Sequence, residues 1–219
     1  MTTHTEENYL KVLFTLTQTK GEAGMNDISK LLDIKMPTVN SMMKRLADKG
    51  YVIYESYKPP TLTKKGKKEA ALIIRKHRLT EMYLVEKMGF GWEEVHEIAE
   101  QIEHIKSNVF FDKMDALLGF PTVDPHGSPI PDSNGKIHPV NYLKLSECTQ
   151  GEKVKFKAVA PTSDELLRFL NNHHLVLNAT IVIEFVESYD KSMTLSYGTN
   201  KSKIFSQSVC EKLLVEKIR

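Results

Sequence analysis

Five of the nine prolines in this 219-residue chain fall between Gly119 and Val140 (Pro121, Pro125, Pro129, Pro131 and Pro139), with Gly127 and Gly135 among them. Proline fixes φ and removes a backbone donor, so no regular helix or strand runs through such a span. It must be a linker or a functional loop. In front of it, apolar residues recur at helical spacing. Beyond it the period becomes two, as in Val154-Lys155-Phe156-Lys157-Ala158-Val159, so a mainly helical front part and a small β part are expected on either side.

The front part divides further. Thr5 as N-cap, the acidic Glu6-Glu7 and the apolar set Tyr9, Leu10, Val12, Leu13 and Leu16 predict a first amphipathic helix, ended by Gly21 and Gly24. Asn26 can cap a short second helix, and Pro37 at a first helical position opens a third that runs to Gly50. Tyr51 to Tyr57 reads as a β-branched and aromatic strand, Lys58-Pro59-Pro60 as a turn and Thr61-Leu62-Thr63 as a returning strand. Three helices followed by a hairpin is the order of a winged helix-turn-helix, with 37–49 as the recognition helix and the hairpin as the wing. The pattern is helical again over 67–88, from near Trp92 to about Ser107, and on to Leu118. Behind the proline-rich span, a short helix from Ser163 or Asp164 through Leu170 and strands over 175–186 and 193–195 suggest a small, separate barrel-like domain. The expected division is 1–66, 67–140 and 141–219.

With 41% apolar and 26% charged residues, the chain is neither disordered, collagen-like nor a disulfide framework. Only Cys148 and Cys210 are present, and there is no apolar N-terminal leader or run of 18 apolar residues, so a reduced, cytoplasmic protein without membrane contact is expected. The net charge of +2 names no partner, but its distribution does. Residues 1–80 carry 15 Lys/Arg against 8 Asp/Glu, whereas residues 81–147 carry 5 against 12. That is the imbalance expected if one part meets a polyanion and another holds cations.

The predicted recognition helix has the mixture a major groove requires. Small polar Thr38, Asn40 and Ser41 near its N-terminus can reach base edges, while Lys35, Lys44 and Arg45 can reach phosphates, with Pro37 setting the start. Lys58 and Lys64, Lys65, Lys67 and Lys68 surround the wing.

The acidic middle contains His96-Glu97-Ile98-Ala99-Glu100-Gln101-Ile102-Glu103-His104. On a continuous helix, His96, Glu100, Glu103 and His104 would share an arc of about 100°. His77 and Glu81, one helical turn apart, supply a second pair. Glu100 and Glu103 on one face repel unless a cation separates them. Imidazole with carboxylate oxygen suits Mn²⁺, Fe²⁺, Co²⁺ or Zn²⁺. A di-metal enzyme is the rival of another class, but it needs Glu-x-x-His on two helices and only Glu93-x-x-His96 fits. A winged-helix regulator of a small organic ligand, with the His/Glu stripe merely solvated, is the other alternative.

Taken together, Thr5-Glu6-Glu7-Asn8-Tyr9-Leu10, Pro37-Thr38-Val39, Leu62-Thr63-Lys64-Lys65-Gly66, Arg75-Lys76-His77-Arg78-Leu79, and Val95-His96 through Glu103-His104 resemble the diphtheria-toxin-repressor family of metal-dependent transcriptional regulators, in particular its manganese-responsive branch. The resemblance implies a winged-helix DNA-binding domain, a helical dimerisation domain and a C-terminal SH3-like domain. It implies a primary metal site from Glu100, Glu103 and His104 with Asn8 of the first helix, and a neighbouring site from His77, Glu81 and His96. Asn8 departs from the Met or Asp of the family, and Glu7 is a substitute. Glu100 stands where iron-responsive relatives have Cys, a harder ligand that favours Mn²⁺ over Fe²⁺. Asp124 and His126 match a loop that supplies ligands in manganese-type relatives, and Asp164 or Glu165 match the region where the SH3-like domain contributes. The function implied is a homodimeric repressor of metal-uptake genes, binding palindromic double-stranded operator DNA and holding two ions per subunit.

Overall fold

The computed structural model describes residues 2–138 and 140–218, so Pro139 of the proline-rich span lies outside the described residues. The chain forms two compact units. One comprises Met1–Thr80, Ile98–Thr122 and Ile130–His138, the other Glu81–Glu97, Val123–Pro129 and Pro139–Arg219.

In the first unit, α1 (His4–Lys20), α2 (Met25–Leu32) and α3 (Met36–Asp48) precede the hairpin of β1 (Val52–Ile53) and β2 (Thr61–Leu62), which pair antiparallel. Tyr9, Leu10, Leu13, Ile28, Val39, Met43, Leu46, Val52 and Leu62 form one core. The winged helix-turn-helix is as expected, but its first helix starts two residues earlier. Thr3, not Thr5, is the N-cap, in a capping box with Glu6. Gly24, not Asn26, caps α2, without a side-chain bond. The wing strands are short because Tyr57, at φ 67, turns the chain out of extended geometry. The long α4 (Lys64–Met88) follows, then α5 (His96–Ile102) and α6 (Asn108–Leu117).

Glu6 is fully buried and ties α1 to α3. It accepts the Thr3 N–H, Lys49 Nζ at 2.6 Å and Arg45 Nε at 2.7 Å. Burial pushes its carboxyl upward, but the Lys49 hydrogen bond, the Thr3 N–H and the charges of Lys49 and Arg45 hold it below the usual carboxylate value. A depressed carboxylate stabilises the fold above its unfolded pKa, and that stability is lost as pH falls through the folded value. Arg45 and Lys49 reach water, so removing their partner costs less than breaking a fully buried pair. Glu6→Ala is expected to lower stability by about 1 to 2 kcal/mol at neutral pH. The difference in urea unfolding should shrink on acidification below the ordinary carboxylate pKa.

The second unit is built on a six-stranded antiparallel sheet in the order β3-β8-β4-β5-β6-β7. Its strands are β3 (Leu143–Lys144), β4 (Lys153–Val159), β5 (Thr180–Val186), β6 (Met193–Tyr197), β7 (Asn200–Phe205) and β8 (Leu213–Lys217). A helix α7 (Asp164–Asn172), capped by Ser163, and a single turn α8 (Gln207–Cys210) pack with them around Phe156, Leu170, Ile181, Leu195, Phe205 and Val215. The strand expected from Leu175 begins only at Thr180, because His174 and Asn178, both at positive φ, lie in two successive turns.

Candidate metal sites and nucleic-acid interface

In the second unit, Glu81 near the end of α4 meets Asp124 and His126 of the proline-rich span. All three are buried, and their ligand atoms lie within 4.8 Å of one another. The segment carrying the last two is a tight loop closed by the Val123–Pro129 bridge. Asp124 Oδ1 accepts the N–H groups of His126 (2.8 Å) and Ser128 (2.9 Å). An Asp that bonds its own following backbone fixes such a turn. The loop docks on β4 through the Val159 N–H to the His126 carbonyl, at 2.9 Å. Gly127, at φ 86, lies so close to Lys157 that a Cβ there would stand 2.1 Å from its carbonyl oxygen.

His126 Nε2–H donates to the Trp92 carbonyl at 2.8 Å, which turns Nδ1 toward Glu81 (3.7 Å) and Asp124 (4.0 Å). A backbone carbonyl on the far nitrogen is the usual way of fixing the tautomer of a metal-ligating histidine. Burial presses the His126 pKa down, but the nearby carboxylates of Glu81 and Asp124 and the Trp92 carbonyl raise it above the ordinary imidazole value. The cluster attracts positive charge, and its three donors fit a divalent cation. His96 Nδ1 lies 3.4 Å from Glu81 Oε1, while the rest of its side chain is exposed. His77 precedes Glu81 by one turn of α4. Asp164 and Glu165 open α7 in exposed positions, Asp164 3.8 Å from Arg168, and neither joins a donor cluster among the described residues.

A different arrangement occupies the first unit. α5 ends at Ile102, so His96 and Glu100 are helical while Glu103 and His104 lie in the turn beyond. Glu103 still donates its N–H to the Ala99 carbonyl at 2.9 Å, so the helical register reaches it from Glu100, and the chain turns at His104. The turn carries Glu103 against His77 (Nδ1 to Oε2, 2.6 Å) and His104 against Glu7 of α1 (Nδ1 to Oε2, 2.7 Å), with both carboxylates fully buried. Glu7 also accepts Lys106 Nζ and the Thr2 hydroxyl. Asn8 is half-buried and makes no side-chain hydrogen bond among the described residues. Lys11, which the sequence reading passed over, donates to Glu103 at 2.8 Å and Glu100 at 3.1 Å. Burial acts to raise the Glu103 pKa, but His77 and Lys11 hold it below the ordinary value; burial depresses that of His104.

On the nucleic-acid side, Lys35, Pro37, Thr38, Ser41, Lys44 and Arg45 are exposed along α3. Asn40 accepts the Tyr54 hydroxyl at 2.7 Å, Arg45 pairs with Glu6, and Lys58 pairs with Glu55 in the wing at 2.6 Å. A cleft of about 710 Å³, lined by Asn26, Asn40, Lys44, Tyr54, Tyr57 and Lys58 among others, separates α2 and α3 from the wing.

A winged-helix reader joined to helices with buried carboxylate and imidazole donors defines a class of metal-dependent DNA-binding regulators. Residues 1–59 match the profile of the iron dependent repressor N-terminal DNA binding domain, and residues 63–132 that of the iron dependent repressor metal binding and dimerisation domain. The iron-dependent repressor IdeR of Mycobacterium leprae is 34% identical over 192 residues, covering 82% of this chain and 84% of the relative. The regulator MntR of Bacillus pumilus is 33% identical over 120 residues, 55% of this chain and 83% of the relative. Among solved structures, the repressor ScaR with bound Cd²⁺ aligns at a TM-score of 0.80 and 30% identity, covering 97% and 99% of the two chains. A manganese-dependent transcriptional repressor in complex with manganese aligns at 0.87 over 97% and 100%, and at 24% identity shows the shared fold. The chain belongs to the iron-dependent repressor family, metal-dependent transcriptional regulators that bind DNA and are not enzymes. No helix among the described residues is long and apolar enough to cross a membrane.

Proposed function

We propose that this chain is a cytoplasmic homodimeric repressor of metal-uptake genes that binds palindromic operator DNA when Mn²⁺, or alternatively Fe²⁺, is sufficient. The observation that carries the metal assignment is the buried convergence of Glu81, Asp124 and His126. Two carboxylates and an imidazole, with no thiolate, are a hard-to-borderline donor set of the kind that suits Mn²⁺ or Fe²⁺. His96 beside Glu81 is a further ligand, and His77, one helical turn earlier, belongs to the same set. A bound divalent cation would supply the charge that lets Glu81 and Asp124 remain ionised side by side in a buried place. Asp124 and the Trp92 carbonyl hold His126 in the tautomer that presents Nδ1.

In the proposed division, residues 1–66 read DNA, 67–140 dimerise and hold metal, and 141–219 form the small β domain. Thr38 and Ser41 face base edges, with Lys35, Lys44 and Lys58 on phosphates. Val109, Phe110, Leu117 and Phe120 present an exposed apolar stripe on and just beyond α6 that a second copy would cover. Two recognition helices related by a two-fold axis read a palindrome.

The test is DNA binding at fixed salt, titrated separately with Mn²⁺, Fe²⁺ and Zn²⁺, on duplexes enriched from a randomised pool by the Mn²⁺-loaded protein. Mn²⁺ or Fe²⁺ is expected to raise affinity by about 100-fold, a coupling of about 2.7 kcal/mol. Equal affinity with and without metal would end the proposal.

A further inference from the structure

Glu7, Glu100, Glu103 and His104 do not converge as Glu81, Asp124 and His126 do. Among the described residues, no three of them bring ligand atoms within 4.8 Å of one another. Protein cations stand among them instead. Lys11 Nζ lies 2.8 Å from Glu103 Oε1 and 3.1 Å from Glu100 Oε1, and Lys106 Nζ bonds Glu7 Oε1. The second oxygen of Glu103 receives His77, and the second oxygen of Glu7 receives His104. An ion taking the oxygens of Glu100 and Glu103 would enter the position of an ammonium group that sits on both.

We propose that Lys11 is a built-in cation. It takes the place of a metal ion between Glu100 and Glu103, so that this donor set does not hold a divalent ion. Two carboxylates one helical turn apart need a positive charge between them, and an ammonium group on α1 provides it within the chain itself. Lys11 thereby ties the first helix of the DNA reader to the segment following α5 whether or not metal is present. The side chain is largely shielded from water, and its partner Glu103 is fully buried, so this is a structural pair and not a loose surface contact. Metal dependence then falls on the Glu81 group alone, with one regulatory ion per subunit rather than two. Lys11 in this role presupposes an ion at Glu81, Asp124 and His126 only for the expected count.

The experiment is Mn²⁺ binding to the full-length chain, with free Mn²⁺ followed by its electron paramagnetic resonance signal. Wild type, Glu81→Gln, Glu103→Gln, Lys11→Met and Lys11→Gln are compared. The expected result is one ion per subunit in wild type, lost in Glu81→Gln, kept in Glu103→Gln, and two ions in whichever Lys11 variant folds as judged by circular dichroism. Two ions in wild type, one of them lost in Glu103→Gln, would overturn the role of Lys11 while leaving the Glu81 assignment in place. One ion in both wild type and the Lys11 variants would overturn it as well. No ion in wild type but one in the Lys11 variants would remove the Glu81 assignment and uphold Lys11, and no ion in any variant would remove both.

Discussion

Gly66→Ala is expected to destabilise the DNA-reading unit by about 3 kcal/mol or more, although the same change in an exposed helix normally stabilises by up to about 1 kcal/mol. Gly66 lies in the first turn of α4, with its N–H on the Thr63 hydroxyl at 3.0 Å. A Cβ there would stand 2.0 Å from the Tyr51 carbonyl oxygen and 3.1 Å from Leu62 Cδ2. The carbonyl is held in place, because it accepts the N–H of Thr63 at 3.0 Å while the Thr63 hydroxyl is engaged with the adjacent Gly50 carbonyl at 2.8 Å. Helix and hairpin must separate by an ångström or more, which opens the contact between α4 and the wing and uncovers Val52 and Leu62. Backbone overpacking of this kind lies at the upper end of single-substitution effects. Urea unfolding of the full chain measures it, and duplex binding should fall in parallel. An unchanged or raised midpoint would show that the close approach of α4 to Tyr51 is not what the geometry indicates.

The same region shows which features the sequence carries in readable form. The winged helix is legible because each part has its own local signal: apolar spacing in three helices, Pro37 at a helix start, and β-branched residues around a Pro-Pro turn. The caps are less legible, since Thr3 and Thr5 are equivalent as residue types and only the capping-box partner Glu6 decides between them. The small sheet is partly hidden because β7 is polar and exposed along most of its length, with Ser202 at a positive φ, so no alternation marks it.

The candidate metal ligands are legible in type, and the expected grouping of Glu81 with His96, Asp124 and His126 is present, whereas the contacts of Glu103 and His104 are not legible. The His96 to His104 stretch looks like one helical stripe, and the helical bonding carries through Glu103, but its side chains meet partners distant in sequence, Glu103 with His77 and His104 with Glu7. Lys11 gives no signal at all, because a lysine one turn after Glu7 on an amphipathic helix looks like any solvated charge. Trp92 is equally silent, since it acts through its carbonyl. The resemblance to a family, not periodicity, is what brings Asp124 and His126 into view.

Gly127→Ala should abolish the metal response while leaving the DNA reader folded. At φ 86 an alanine is strained to begin with, and its Cβ would stand 2.1 Å from the Lys157 oxygen and 2.6 Å from Ala158 Cα and Cβ. These are atoms of β4 in the interior of the sheet order, held by β5 and β8 on either side, so the loop and not the strand must move. Moving it breaks the Val159 to His126 backbone bond and carries two of the three buried donors away from Glu81. Displacing an orienting group alone costs about 10- to 100-fold in metal affinity, and losing two ligands costs more, so Mn²⁺ affinity should fall by at least about 100-fold. Gly151 supplies the control. It has the same φ of 86, but a Cβ there would meet nothing within 4 Å, so Gly151→Ala isolates backbone strain and should leave Mn²⁺ affinity unchanged. Duplex binding with and without Mn²⁺ reads the consequence: Gly127→Ala should bind at the metal-free level at every Mn²⁺ concentration that saturates wild type. If Gly127→Ala and Gly151→Ala instead respond to Mn²⁺ alike, the docked loop does not govern metal control of this repressor.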